Sequence, residues 1–545
     1  MKKKLLASGW LLLASALMQP VAAEGIERFR IEHFAVEGNT LLTAGRIETL
    51  LAPYTGQGKV YGDVQRALET LENAYRSTGY NTVRVYVPEQ ELTQGNVRLV
   101  VSEGIIGKVV ISGNQHFSEA NVRAALPALK EGSVPNARLL SENIQLANDN
   151  PARQLAVTLG VGEEEKSINA RVTVADENPQ KVVVTLDNTG TPATGRYRTG
   201  IAYQHANLFQ SDQMLTLAYT TAPDAPDGVK VDVYSLAYRL PLYAFGDSID
   251  LIYGNSNVNT PSAQATGFGL AGKGDVTALR YNHYFPRQGE FSARLSLGID
   301  YKYFNTRCSI NGVSLPIDPP LPALASCTPY TTRPLSATYA GQWQGAGAVA
   351  DYNLGIAYNL PLGSRYEFRG GMDHYSTIAN RAVSDNFTIV RFGANYMTTL
   401  FSDWQARVAF SGQYSNNGLV AGEQFGMAGS TAVRGFGERA VAADTGHVAN
   451  VEAYTPELAR IMNIPGNLRG VLFYDLARGK NLGVQAATTG SADRLGIAAA
   501  GLGLRYNFQK SVSVRADVAG VTKAGPVGTE SRGDWLGHVN MSYSF

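Results

Sequence analysis

The sequence predicts a mainly β protein: a transmembrane antiparallel β-barrel of about sixteen strands, preceded by two small α/β units. Three observations carry this. From Gln180 to the carboxyl end helical spacing vanishes, and short alternating segments repeat between turn residues. Before Gln180 the order β-α-α-β-β occurs twice in succession. The chain also holds 57 Gly and 28 Tyr with only 17% charged residues, a balance suited to strands that face lipid on one side and water on the other.

Met1 to Ala23 has three lysines, an apolar run from Leu5 to Met18, and the small residues Val21, Ala22 and Ala23 before Glu24. This is a secretory signal peptide, too short for a membrane anchor. Its removal leaves the mature chain close to neutral, which argues against a nucleic-acid partner, since that would need a basic face. No later run approaches the roughly 18 apolar residues of a spanning helix.

The first α/β unit occupies residues 24–104. Phe29–Val36, Thr82–Val87 and Val97–Val101 alternate as strands, while Thr43–Leu51 and Asp63–Arg76 carry helical spacing. Val64, Ala67, Leu68, Leu71 and Tyr75 share one face of the second helix and give the sheet a packing partner. The second unit, residues 105–178, repeats the order, with VVISGN (residues 109–114) echoing FAVEGN (residues 34–39). Its helices are expected at Glu119–Leu126 and Ala137–Leu146, and its later strands at Gln154–Gly160 and Ile168–Val174. In such a three-stranded sheet the middle strand by sequence lies at an edge. Val83, Val85 and Val87, and Leu155 and Val157, are therefore the candidate positions for pairing with an extended guest segment.

The barrel is expected over residues 179–545. Segments such as Lys181–Leu186, Asp232–Leu240, Phe291–Tyr303, Gly355–Leu360 and Phe401–Tyr414 read as its strands. At the carboxyl end Gly537, Val539, Met541, Tyr543 and Phe545 alternate with His538, Asn540, Ser542 and Ser544. One face of that strand meets lipid and the other a wet lumen.

Within the barrel one glycine-rich stretch, residues 425–450, breaks the alternation. It holds Val433, Arg434, Gly435 and Phe436. Gly435 and Gly437 allow a sharp turn and Phe436 supplies an apolar foot. A guanidinium inside a polar cavity needs a facing carboxylate, and Asp475 in GVLFYDLARG is the best candidate.

Enzyme chemistry is absent by pattern. GFGLAGKG (residues 267–274) has phosphate-loop spacing but places Gly274 where a magnesium-binding Ser or Thr belongs. No GxSxG elbow or HExxH helix occurs, and the seven histidines are scattered. No cofactor or metal is expected. Cys308 and Cys327 flank one proline-rich loop of an exported chain, and a single disulfide between them is the simplest expectation.

Taken together, the signal peptide, the paired units, the VRGF loop and the terminal Phe resemble the transporters of two-partner secretion, the haemolysin and filamentous-haemagglutinin exporters. Asn150 and Pro151 in NDNP, DNTG at Asp187–Gly190, NLFQSD at Asn207–Asp212 and PLYAFGDSID at Pro241–Asp250 add to the likeness in order. The resemblance implies periplasmic polypeptide-transport-associated (POTRA) domains, a sixteen-stranded barrel, and a loop folded into the lumen with Arg434 meeting Asp475. Glu452, in NVEAY, is a second wall partner on this basis. FYDLA at Phe473–Ala477 has Ala where the family usually has Gly. A pore-plugging helix before the first unit is expected to be missing. The implied partners are a large secreted exoprotein (TpsA type), outer-membrane lipid and, during biogenesis, the barrel-assembly machinery, reading the terminal Phe545, and periplasmic chaperones. An outer-membrane assembly factor and a passive porin are the competing expectations.

Overall fold

The computed structural model describes residues 28–91, 94–164, 166–258, 273–305, 329–362, 383–483 and 493–545, with the backbone of 309–310 and 313–314. The signal segment, the place of a plug helix, both cysteines and most of GFGLAGKG lie outside these residues. Two compact units emerge, one ending at Gly104 and one running from Ile105 to Phe545. The second α/β repeat therefore belongs to the same compact unit as the barrel.

In the first unit the helices are Ala44–Leu51 and Tyr61–Ser77. They cover a three-stranded sheet in which Asn96–Ser102 lies between His33–Glu37, parallel to it, and Arg84–Tyr86, antiparallel. Val64, Ala67, Leu71 and Tyr75 are buried as the helical spacing demands, and burial raises the Tyr75 phenol pKa. The expected single strand at Phe29–Val36 is split at Glu32, whose amide turns to Gly95 O (2.7 Å). Its first part, Phe29–Ile31, pairs instead with Gly56–Lys59.

The second unit repeats this plan with Ile105–Ser112, helices Glu119–Ala125 and Ala137–Asn148, and strands Arg153–Val161 and Ser167–Asp176. The echo between the two sequences has a physical cause. Gly38 (φ +79°) and Gly113 (φ +90°) occupy the same left-handed turn, and a Cβ there would lie 2.4 Å from Val101 O or 2.3 Å from Val174 O. The following Asn then closes the turn, Asn39 Nδ2 donating to Leu42 O and Asn114 Nδ2 to Phe117 O. Gly38→Ala is expected to destabilise the first unit by roughly 1–3 kcal/mol. Amide hydrogen exchange across Asn96–Ser102 should accelerate while exchange in the barrel stays unchanged.

From Gln180 the chain forms a closed antiparallel ring of 16 strands. The first is Gln180–Asp187 and the last Trp535–Ser544, and these two pair with each other. The eighth strand is interrupted at Arg333, so that Tyr330–Thr332 and Pro334–Gly345 both pair with Phe291–Phe304. Phe401–Tyr414 does not form one strand as expected. Phe401–Asp403 is a short turn with Ser402 at φ +51°, and the strand is Gln405–Ser415. Outward positions carry exposed apolar side chains such as Leu251, Leu297, Ile356, Leu472, Leu502 and Val539. An apolar outer face is what lipid requires.

Candidate functional site: a tethered loop in the lumen

Residues 416–444 connect the eleventh strand, Gln405–Ser415, to the twelfth, Thr445–Tyr454. They do not remain outside the ring. The segment folds into a narrow hairpin, with Phe425–Gly426 pairing with Ala442–Ala443 and Met427 N donating to Val441 O (2.8 Å). At its tip Val433, Arg434 and Phe436 are essentially inaccessible to solvent.

Three strand faces position the partners of Arg434. Period-two alternation turns Asn450, Glu452 and Tyr454 inward on the twelfth strand, and Phe473 and Asp475 inward on Asn467–Lys480. Asp517 points inward from Val512–Lys523. Arg434 Nε and Nη2 each donate to Asp475, at 2.7 Å to Oδ2 and 2.7 Å to Oδ1, and the Arg434 amide adds a third bond at 3.1 Å. Nη1 sits 2.8 Å from Glu452 Oε1 and 3.5 Å from Asp517 Oδ1, off the hydrogen-bond line of both. The guanidinium lies 3.4 Å from the centre of the Phe473 ring. A planar, delocalised cation suits this combination of bidentate pairing and stacking, and a lysine does not.

The carboxylates are themselves braced. Glu452 Oε2 also receives Arg407 Nη1 (2.9 Å) and the Tyr454 hydroxyl (2.6 Å). Asp517 Oδ2 receives Arg505 Nη2 (3.2 Å) and Arg515 Nε (2.9 Å), and Arg505 Nη1 lies in ion-pair contact with Oδ1 (2.8 Å). Asp475 gains Asn450 Nδ2 at 2.8 Å, and the same amide holds Ala432 O of the loop. Among the described residues Arg434 is the cation in contact with Asp475.

Backbone geometry explains the flanking glycine. Gly435 has φ +90°, and a Cβ would approach the methyl carbons of Ala519 and Ala499 at 3.2 and 3.3 Å. Its amide donates to His538 Nε2 (3.2 Å) on the last strand. The wall beneath is built of small residues: a side chain at Gly501 would meet the Phe473 ring at 2.5 Å. Phe436 is buried in a cluster with Met427, Val441, Ile497 and Val521.

The structure brings Val433, Arg434, Gly435, Phe436, Glu452 and Asp475 together. Asp517 and His538 were not anticipated. The available signal for Asp517 was its place in VSVRADVAGV, on the inward alternation of a strand that also carries Arg515. Phe545 stands at the closing seam, its amide donating to Val182 O (2.9 Å) and its ring edge-on to Tyr543.

Both strands expected at a sheet edge lie there, with their apolar side chains turned to the core. Arg84–Tyr86 and Arg153–Val161 are edge strands, but Val83, Val85 and Leu155 are buried in their own cores, and Val87 and Val157 are partly covered. Such side chains cannot read a guest. In the first unit the edge is three residues long and the Val85 amide is already held by Glu72 Oε1 (3.0 Å). In the second, Asn148 caps Leu155 in the same way, receiving its amide at 2.6 Å and donating to its carbonyl at 3.0 Å. Period two then directs the main-chain groups of Val157 and Leu159 to that edge.

The second α/β unit is bolted to the ring. Arg153 and Asp212, both buried, pair through Nη1–Oδ1 (3.0 Å) and Nη2–Oδ2 (2.7 Å). Arg153 also donates to Asn121 Oδ1 (2.8 Å) and lies over the Phe117 ring. The Tyr243 hydroxyl donates to Asp212 Oδ2 (2.6 Å), and burial, then the Asp212 charge, holds that phenol protonated well above its ordinary pKa. Asp149 reaches Arg239 and Tyr284, and Asn150 Nδ2 donates to Ala206 O (2.7 Å).

Residues 167–506 match the haemolysin secretion/activation protein family ShlB/FhaC/HecB, over more than half of the chain. The chain belongs to this family. Residues 29–104 match the ShlB-type POTRA domain. Among relatives, the outer membrane transporter CdiB of Dickeya dadantii is 24% identical over 427 residues, covering 77% of this chain and 71% of that protein. The haemolysin transporter protein ShlB of Serratia marcescens is 24% identical over 430 residues, 78% of this chain and 72% of that protein. The haem/haemopexin transporter protein HuxB of Haemophilus influenzae is 20% identical over 485 residues, 88% of this chain and 81% of that protein. The solved structure of CdiB from Escherichia coli has a TM-score of 0.69 at 18% identity, covering 97% of this chain and 93% of that one, and so shares the fold. As a ShlB/FhaC/HecB member the chain is an outer-membrane transporter of two-partner secretion, a system that pairs such barrels with TpsA-type exoproteins, and its POTRA domains are periplasmic.

Proposed function

We propose that this transporter exports one large exoprotein, unfolded, through the barrel, after capturing it in the periplasm through its POTRA domains. The Arg434 cage carries this reading. A ring of this size encloses an aqueous bore, and a channel dedicated to an unfolded chain has to be obstructed at rest by something removable. A loop whose tip is fixed to the wall by side-chain contacts meets that need. Folding of the cargo outside removes the unfolded form from equilibrium and makes passage effectively one-way.

Capture is assigned to the edge at Val157 and Leu159, where exposed Gln154, Ala156 and Thr158 alternate with the core-facing side chains. That strand begins at Arg153, on the barrel, and Gln154 lines a cleft of about 890 Å³ between helix Ala137–Asn148 and the inner wall. A segment added along the edge is thus led to the mouth of the bore. Val157→Pro is expected to weaken exoprotein binding to the purified transporter, because proline removes the edge donor. Unchanged affinity, with thermal stability near wild type, would move capture elsewhere.

The overall reading is tested by comparing culture supernatant and outer-membrane proteome with and without the protein. Loss of one large secreted protein with other barrels at normal levels is the expected outcome. A joint fall of many barrels would indicate an assembly factor, and no change in either would indicate a porin.

A further inference from the structure

The loop has a second charged contact that the Arg434 cage does not use. At its root, Glu423 is buried although it lies in a short turn, Ala421–Glu423, instead of on the wall. Its Oε1 receives Lys302 Nζ (3.0 Å) and Thr332 Oγ1 (2.8 Å), and Oε2 receives Arg391 Nη2 (3.2 Å). Gln413 Nε2 donates to its carbonyl (3.0 Å). Apolar packing accompanies the charges. Val420 lies with Phe304 and Tyr330, Leu419 with Phe387 and Ile389, and the Tyr330 hydroxyl accepts from Gly422 N (2.9 Å).

The two contacts fall on different arcs of the ring. Lys302, Thr332 and Arg391 belong to the seventh, eighth and tenth strands, whereas Glu452, Asp475 and Asp517 belong to the twelfth, thirteenth and fifteenth. The strands of Lys302 and Asp475 are six places apart in a ring of 16, and those of Arg391 and Glu452 two apart, so root and tip are held on separate arcs of the wall. Polarity is reversed as well: an anion of the loop meets wall cations at the root, and a cation of the loop meets wall anions at the tip.

We propose that Glu423 is a positioning residue, a second anchor that holds the loop root on a separate arc of the wall independently of Arg434. Tip and root then release separately. Freeing Arg434 lets the tip swing beyond Phe425–Gly426 while Glu423 keeps the root in place, giving a partly open bore. Freeing both gives the full bore. This inference rests on the reading that the loop obstructs the channel.

Planar-bilayer recordings of the purified full-length protein test it with Arg434→Ala, Glu423→Ala, the double variant, and a variant lacking residues 416–444. Arg434→Ala is expected to conduct at roughly half the level of the loop-deleted channel, and the double variant to match that channel, as for two independent obstructions of one aqueous bore. Glu423→Lys combined with Lys302→Glu should return the current toward that of the wild type, which a merely structural defect would not allow. Heat-modifiable mobility on gels verifies that each barrel is folded. The anchor is refuted if Arg434→Ala alone reaches the loop-deleted conductance, or if adding Glu423→Ala changes nothing. A loop-deleted channel no more conductive than wild type would refute the obstruction itself, and the anchor with it.

Discussion

Arg434→Ala is expected to abolish exoprotein secretion while the barrel still assembles. Glu452 retains Arg407 and Tyr454, and Asp517 retains Arg505 and Arg515. Asp475 loses its cation and keeps Asn450. Stranding one member of a buried pair costs about 3–5 kcal/mol, less where lumen water can reach it. Most of that cost falls on the docked loop, because the wall strands are held by their own ladders. The docked state therefore loses its advantage over an undocked one and the tip leaves the wall. Immunoblots of secreted exoprotein, read beside heat-modifiable mobility, check this. Arg434→Lys should rescue poorly, since an ammonium cannot span both Asp475 oxygens and stack on Phe473. Wild-type secretion by Arg434→Ala would remove the loop from the mechanism.

The second large effect is expected at the periplasmic face. Arg153→Ala leaves Asp212 buried, with Tyr243 as its remaining side-chain hydrogen-bond partner among the described residues. A cost of about 3–5 kcal/mol is again expected, and here the site is a protein–protein contact with little access for water. The second POTRA domain should detach from the hairpin at Leu208–Gln213. Limited proteolysis of the linker after Asp176 ought to speed up, and secretion should fall even though the edge at Val157 is intact. Asp212→Asn, which keeps shape and hydrogen bonding, should be milder. Equal protease resistance in Arg153→Ala and wild type would show that the remaining contacts suffice.

Sequence patterns revealed the architecture well because period and turn chemistry are local. The repeated Gly-Asn turn, the helical face of Val64 to Tyr75 and the alternation at Gly537 to Phe545 each depend on neighbours in the chain. Arg434 and Asp475 were also legible, since an Arg in a glycine-rich loop and a carboxylate in an apolar strand both call for an opposite charge. Asp517 and Glu423 were not. Their partners come from strands far away in sequence, and only the closure of the ring brings them to the loop. NDNP, NLFQSD and PLYAFGDSID were recognisable as patterns, yet their common task, seating Asn150, Asp212 and Tyr243 at one joint, needs the assembled hairpins. The edge valines were placed on strands that do lie at sheet edges, and what was not legible was their facing. Alternation identifies which residues share a face but does not say that the apolar face of an edge strand is the inner one.

The joint between the second POTRA domain and the ring has a mechanical meaning. Its buried contacts fall on the hairpins at Leu208–Gln213, Leu242–Asp247 and Tyr284–Phe291 and their flanks, which are consecutive around the rim. The domain therefore acts as a splint along one arc. The rim is expected to yield more readily away from that arc, where the strands of Glu452, Asp475 and Asp517 and the closing seam lie and an exposed Glu177–Lys510 pair joins the linker to the rim. If the loop obstructs the bore as proposed, an incoming chain that pushes the rim outward is expected to strain first the side of the barrel that grips Arg434, coupling load at the mouth to the loop tip.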